Sequence, residues 1–149
     1  ISFYPTGYRW VEMFHITEEI ILPNNIELKF PSSKVGAKSI FEGIVRDNNL
    51  GKSVKKLEYQ CYEELAIKEG SMILKEAVQK YKIDDAFCIH RTGKLEIGET
   101  AVFVRVFAAH RDDSFQACRY IIDEVKKRVP IWKKEIYESG ESDWLKGAG

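Results

Sequence analysis

The stretch Lys126-Lys127-Arg128-Val129-Pro130-Ile131-Trp132-Lys133-Lys134 holds five basic residues in nine, in a chain whose 23 Lys and Arg balance 23 Asp and Glu. Lys126 follows Val125, an apolar position of a helical stripe, and so stands at the edge of that stripe. Lys133 lies beyond Pro130, beside Trp132. Two ammonium groups placed this way can face one anionic ligand. Partial burial would make either lysine usable as an acid, a base or a nucleophile. The plainer reading is a solvated helix end, where cations meet the helix dipole favourably. Asp123 and Glu124 also stand four residues before Lys127 and Arg128, the spacing of helical ion pairs. The plain reading takes Lys127 and Arg128, and leaves Lys126 and Lys133 open to either.

Two His-Arg dipeptides, His90-Arg91 and His110-Arg111, each end a predicted strand. Arginine offers a planar fork of donors to a phosphate, and histidine adds a donor or moves a proton. Ordinary strand ends with surface ion pairs would look the same. Arg46 ends another strand and precedes Asp47-Asn48-Asn49, an amide-rich turn that makes a possible anion-binding edge, or a plain hairpin turn.

Other chemistries find no support. Gly51-Lys52-Ser53 resembles the end of a phosphate-binding loop, but position 46 is arginine where that pattern needs glycine. No GxSxG, HExxH or GxGxxG pattern is present. Cys61, Cys88 and Cys118 are far apart and form no CxxC or zinc-type spacing. They read as buried free thiols of a reducing compartment, which is expected to be the cytoplasm. No metal and no cofactor is expected. Zero net charge argues against a nucleic-acid or anionic-membrane binder, and no apolar run reaches the roughly 20 residues of a membrane helix.

These residues must be held by a core, and 149 residues with 44% hydrophobic content suffice for one domain. Residues 1–12 are read as an extension without functional weight, with Met13 a natural start, and residues 13–149 as one domain. Strands are predicted for 13–17, 36–46, 54–62, 86–91, 100–110 and 132–137. The strand at 100–110 has the longest signal and is apolar on both faces, hence central. Helices are predicted for 23–30, 63–81 and 114–128. The last is capped by Asp112 or Asp113, has a buried stripe of Phe115, Cys118, Ile122, Val125 and Val129, and is ended by Pro130. The order β, α, β, β, α, β, β, α, β indicates an α+β domain.

Several segments, taken in order, carry a resemblance. They are Phe41-Glu42-Gly43-Ile44-Val45-Arg46, Leu57-Glu58-Tyr59, His90 to Glu99, Ala109-His110-Arg111 and Pro130-Ile131-Trp132-Lys133-Lys134-Glu135. Over about Phe14 to Trp144 the chain resembles the large, catalytic subunit of molybdopterin synthase. The resemblance implies an α/β hammerhead-type fold, with a mixed, largely antiparallel sheet and two main helices. It implies a homodimer bearing a small, ubiquitin-like sulfur-carrier subunit on each protomer, a heterotetramer. The carrier's C-terminal Gly-Gly tail, as a thiocarboxylate, would deliver two sulfurs to cyclic pyranopterin monophosphate.

By the same resemblance Lys126 is the key catalytic lysine, acting by proton transfer or transient covalent chemistry. Lys133 would stabilise developing negative charge. Arg46, His110 and Arg111 would hold the pterin phosphate, and Phe41 would line the tunnel for the carrier tail. His90 and Arg91 are expected to be structural. Many relatives continue past the equivalent of Gly149 with a basic-containing tail, so any pocket residue from such a tail is unaccounted for. Two alternatives stand beside this reading. One is a noncatalytic α+β module binding a phosphorylated small molecule. The other is a single-stranded RNA binder using Phe103 and Phe107.

Overall fold

The computed structural model describes residues 13–26, 32–138 and 140–146. The expectations for residues 1–12, and for a helix continuing through 27–30, lie outside the described residues.

Two sheets and two long helices make up the fold. The first sheet has the order β1 (Met13–Thr17), β5 (Ile83–Arg91), β7 (Thr100–Ala108), β2 (Ala37–Ile44). Only β1 and β5 run parallel in it; β5–β7 and β7–β2 are antiparallel. The second sheet is built on β4 (Lys52–Cys61) and β8 (Ile131–Tyr137). The short strands β3 (Asn48–Asn49) and β6 (Gly93–Glu96) pair with β4. The equally short β9 (Gly140–Glu141) and β10 (Leu145–Lys146) pair with β8. All pairings in this sheet are antiparallel, so the α+β reading with largely antiparallel pairing holds, with the strands divided between two sheets.

Helix α1 (Glu63–Lys80) packs on β1 and β5, and α2 (Arg111–Arg128) on β7 and β2. Each carries two acidic side chains in its first turn and basic ones in its last, which suits the helix dipole. Every residue of β7 is buried, as expected for a central strand covered on both faces. Val102, Val104 and Val106 face the helices in the main core. Phe103 joins Ile21, Ile26, Phe87 and Ile89 in a smaller cluster. In length β7 yields to β4, nine residues against ten.

Three local expectations are corrected. The segment from Pro23 forms only a three-residue 3-10 helix, Pro23–Asn25, among the described residues. Helix α2 starts at Arg111 with His110 in the cap position, so Asp112 and Asp113 lie in its first turn and no side chain caps it. Its buried stripe is Ser114, Ala117, Cys118, Ile121, Ile122 and Val125, whereas Phe115 is 64% exposed. The stripe follows the helical phase that packs α2 on β2 and β7, in which Ser114 takes the inward place. There its hydroxyl meets that of Ser39 at 2.6 Å.

Candidate active site

The eight residues from Lys126 to Lys133 leave α2 and enter β8. Val129 caps the helix in extended conformation, as residues before proline prefer. Pro130 lacks the amide that another helical turn would need. Val129, Pro130 and Ile131 are buried, so the reversal is anchored in the core. It brings Lys126, from the last turn of α2, and Lys133, from β8, to one cavity of about 270 Å³.

Along β8 side chains alternate. Lys133 and Glu135 face the cavity, in register with Tyr59 and Leu57 of β4, which also line it. Trp132 and Lys134 point away, and Lys134 is engaged by Glu141 at 3.6 Å and by the ring of Trp144 at 4.5 Å. The cavity's other wall is the segment after β2. Val45 there donates to Glu99 O at 2.9 Å and accepts from Gly98 N at 2.8 Å, which fixes where Arg46 departs. Gly43 keeps this wall flat, because a Cβ would meet Val102 Cγ1 at 2.8 Å.

Ion pairing separates the basic cluster into two kinds. Lys127 meets Glu124 at 3.6 Å. Arg128 reaches Glu69 at 3.0 Å, Glu76 and Glu124, and so ties the end of α2 to α1. Arg128 and the Tyr120 hydroxyl hold the Glu76 carboxyl down to about 2. Asp123 turns instead to Arg119. Among the described residues, Lys126 and Lys133 take part in no ion pair. Lys126 is exposed and Lys133 half-buried. Three cationic side chains, Arg46, Lys126 and Lys133, therefore face one carboxylate, Glu135, and the cavity suits an anion.

Phe41 lies in a neighbouring, more apolar cavity of about 500 Å³, with Ile40, Phe115, Cys118 and Ile122. Lys126 lines both cavities and marks where they meet. The exposed Phe115 thus belongs to a cavity wall.

His110 and Arg111 are not brought to Lys126 within this chain. They are exposed at the start of α2, and fifteen residues of helix separate Arg111 from Lys126 by roughly 22 Å. His90 and Arg91 are buried and structural. His90 Nδ1 lies 2.6 Å from Arg91 O, its ring edge meets Tyr59, and burial pushes its pKa down to about 4. Arg91 pairs with Glu99 at 3.1 Å and donates to Glu18 O at 2.9 Å.

The thiols are not poised as nucleophiles. Burial pushes Cys118 up to about 11 and raises Cys88 further, while burial and then Glu63 raise Cys61. No cluster of three or more His, Cys, Asp or Glu able to hold a metal occurs among the described residues, and no helix among them is long and apolar enough to cross a membrane. Phe103 and Phe107 are at most 1% exposed, so the stacking surface of the RNA-binding alternative is absent. The cavity roles of Glu135 and Tyr59 were not read from the sequence, whereas the amide-rich turn offered there as an anion-binding edge does supply Asn48 and Asn49 to the lining. The two-residue spacing of Lys133 and Glu135 on a predicted strand was a signal for Glu135.

A family model described as "MoaE protein" matches residues 16–128. The molybdopterin synthase catalytic subunit of Pyrococcus abyssi is 48% identical over 136 residues, covering 91% of this chain and 86% of that protein. The crystal structure of molybdopterin synthase from Staphylococcus aureus superposes with a TM-score of 0.79 at 34% identity, covering 87% of this chain and 94% of that one. The fold is also shared, with a TM-score of 0.61 at 20% identity, by a chain in the complex of subunits 1 and 2 of the molybdopterin-converting factor of Helicobacter pylori. That match covers 76% of this chain and 72% of that one. Matches of this extent identify the chain as a member of the MoaE family, the catalytic subunits of molybdopterin synthase.

Proposed function

We propose that this chain transfers sulfur, in two successive steps, from the thiocarboxylated C-terminal tail of a small ubiquitin-like carrier subunit to cyclic pyranopterin monophosphate, forming the dithiolene of molybdopterin. One observation carries the reading. The unpaired Lys126 and Lys133 meet Arg46 at one cavity, and Lys126 also reaches the adjoining apolar cavity of Phe41. An extended glycine tail entering past Phe41 would end at Lys126, and a phosphorylated substrate in the basic cavity would lie beside it.

Lys126 then activates the thiocarboxylate or the substrate, by proton transfer or transient covalent attachment. Lys133 stabilises the negative charge that develops, and Arg46 holds the phosphate with a charge-assisted fork. None of the three cysteines lines the basic cavity and all have raised pKa values, which agrees with sulfur arriving from a partner. A converting factor of this fold from Helicobacter pylori is known as a complex of its two subunits.

His110 and Arg111 enter this scheme through the homodimer. Because one chain holds them a helix length from Lys126, their place in the anion pocket requires a second copy to present its α2 N-terminus to the cavity. The domain at 13–149 carries the whole function, and its free thiols suit a reducing cytoplasm. The test is reconstitution of the chain with a thiocarboxylated carrier and the cyclic pterin phosphate. Dithiolene formation with loss of the thiocarboxylate is the expected result. Phosphate-dependent binding of the pterin without product would replace the enzyme reading by a noncatalytic phosphate-binding module.

A further inference from the structure

The turn after Arg46 places an amide between two charged groups. Asn49 accepts from Arg46 Nη2 through its side-chain oxygen at 3.5 Å, and donates through its nitrogen to Glu135 Oε1 at 2.9 Å. The Tyr137 hydroxyl donates to the same carboxylate oxygen at 2.9 Å, and Glu135 is only 3% exposed. Among the described residues neither Arg46 nor Glu135 enters an ion pair, so the asparagine is the link between them. A carboxamide accepts from a guanidinium and donates to a carboxylate at the same time. An aspartate in its place would repel Glu135 when ionised, and a lysine could not accept.

A tight two-residue turn follows Asn49. Leu50 and Gly51 both take left-handed conformations, with φ of 51° and 78°, as a two-residue hairpin between β3 and β4 requires. For a leucine this costs roughly 1 kcal/mol, and its side chain is 93% exposed, so packing does not repay it. The turn nonetheless holds Asn49 half-buried at the wall of the basic cavity.

We propose that Asn49 is a positioning residue for substrate binding, which holds the Arg46 guanidinium at the cavity by tying it to the buried Glu135. Arg46 thereby meets the substrate phosphate already ordered, and less freedom is lost on binding. The inference rests on the proposed sulfur-transfer reading of this cavity.

The experiment uses the chain complexed with its thiocarboxylated carrier, and reads KM, kcat and the calorimetric affinity for cyclic pyranopterin monophosphate. Asn49→Ala should raise KM and weaken affinity about tenfold, the effect of losing one charge-assisted hydrogen bond, while kcat at saturation is nearly kept. In an Arg46→Ala background the same substitution should add little, because Asn49 acts through Arg46. Asn49→Asp supplies a signature that a merely structural role would not produce. Protonated, the new acid can donate to Glu135; ionised, it repels it. Its KM should approach the unmutated value toward pH 5 and worsen toward pH 8. Unchanged KM and affinity in Asn49→Ala, or losses that simply add to those of Arg46→Ala, would overturn the proposal. Absence of turnover in the unmutated complex would overturn the functional reading separately, and the coupling of Asn49 to Arg46 would still be decided by the calorimetric affinities.

Discussion

Two residues of the same type, His90 and His110, show what a side chain's surroundings add to its sequence context. Both precede arginine at the end of a predicted strand, yet one is fully buried and the other exposed. The difference comes from β1, β4 and β7 closing around His90, contacts distant in sequence. Burial has a measurable consequence. With a folded pKa of about 4 against an ordinary 6.5, His90 stays neutral while the unfolded chain takes up a proton in that window. Its contribution is therefore present above pH 6.5 and lost as pH falls toward 4. Asp85, pushed up to about 7 by burial against the pull of Arg105, acts with the opposite sign over nearly the same range and masks the slope. Comparison with a His90→Asn variant cancels the Asp85 contribution. The stability advantage of the unmutated chain, by denaturant titration, should shrink by about 3 kcal/mol between pH 6.5 and 4. An advantage independent of pH would contradict the assignment. The two lysines proposed as catalytic were more legible, because helix phase and the proline break separate Lys126 and Lys133 from their paired neighbours. Glu135 was not, since its burial is decided by Leu57 and Tyr59 on the adjacent strand.

At the scale of elements, periodicity located every long strand and both long helices within a few residues. The two-to-four-residue strands β3, β6, β9 and β10 were invisible, because they carry too few side chains for a pattern and exist only by pairing with β4 or β8. Local preference also misleads where packing decides. Gly70 lies inside α1, where alanine is favoured by about 1 kcal/mol, but a Cβ there would run into the ring of Phe14 from β1. Gly70→Ala should therefore destabilise the chain by about 1–3 kcal/mol, seen as a lowered Tm, and a raised Tm would show that helix propensity wins. The opposite outcome is expected at Leu50, where backbone conformation dominates and the side chain touches little. Leu50→Asn should gain about 0.5–1 kcal/mol by relieving a left-handed leucine. A loss of stability there would mean that the exposed leucine makes contacts this chain alone does not account for.

For the whole molecule, the largest departure from expectation is the division of the strands between two sheets, with β1 parallel to β5. That pairing joins Met13 to Phe87 across β2–β4 and α1, and no local pattern encodes it. The same scale governs the site. The chain assembles Lys126, Lys133 and Arg46 by itself and leaves His110 and Arg111 at the far end of α2, so the proposed anion pocket is complete only between two copies. Mixing Lys126→Ala chains with Arg111→Ala chains should then restore activity that neither shows alone. Random pairing gives heterodimers with one intact and one doubly defective site, roughly a quarter of the unmutated rate. No restoration despite demonstrated subunit exchange would place His110 and Arg111 outside the site. The most direct test of the central claim is single-turnover sulfur transfer from the thiocarboxylated carrier by Lys126→Ala, with folding and carrier binding verified. The expected result is a loss of at least about a hundredfold, in line with removal of an acid–base or covalent group, while the thiocarboxylate persists. Transfer at a rate within a few-fold of the unmutated chain would contradict it.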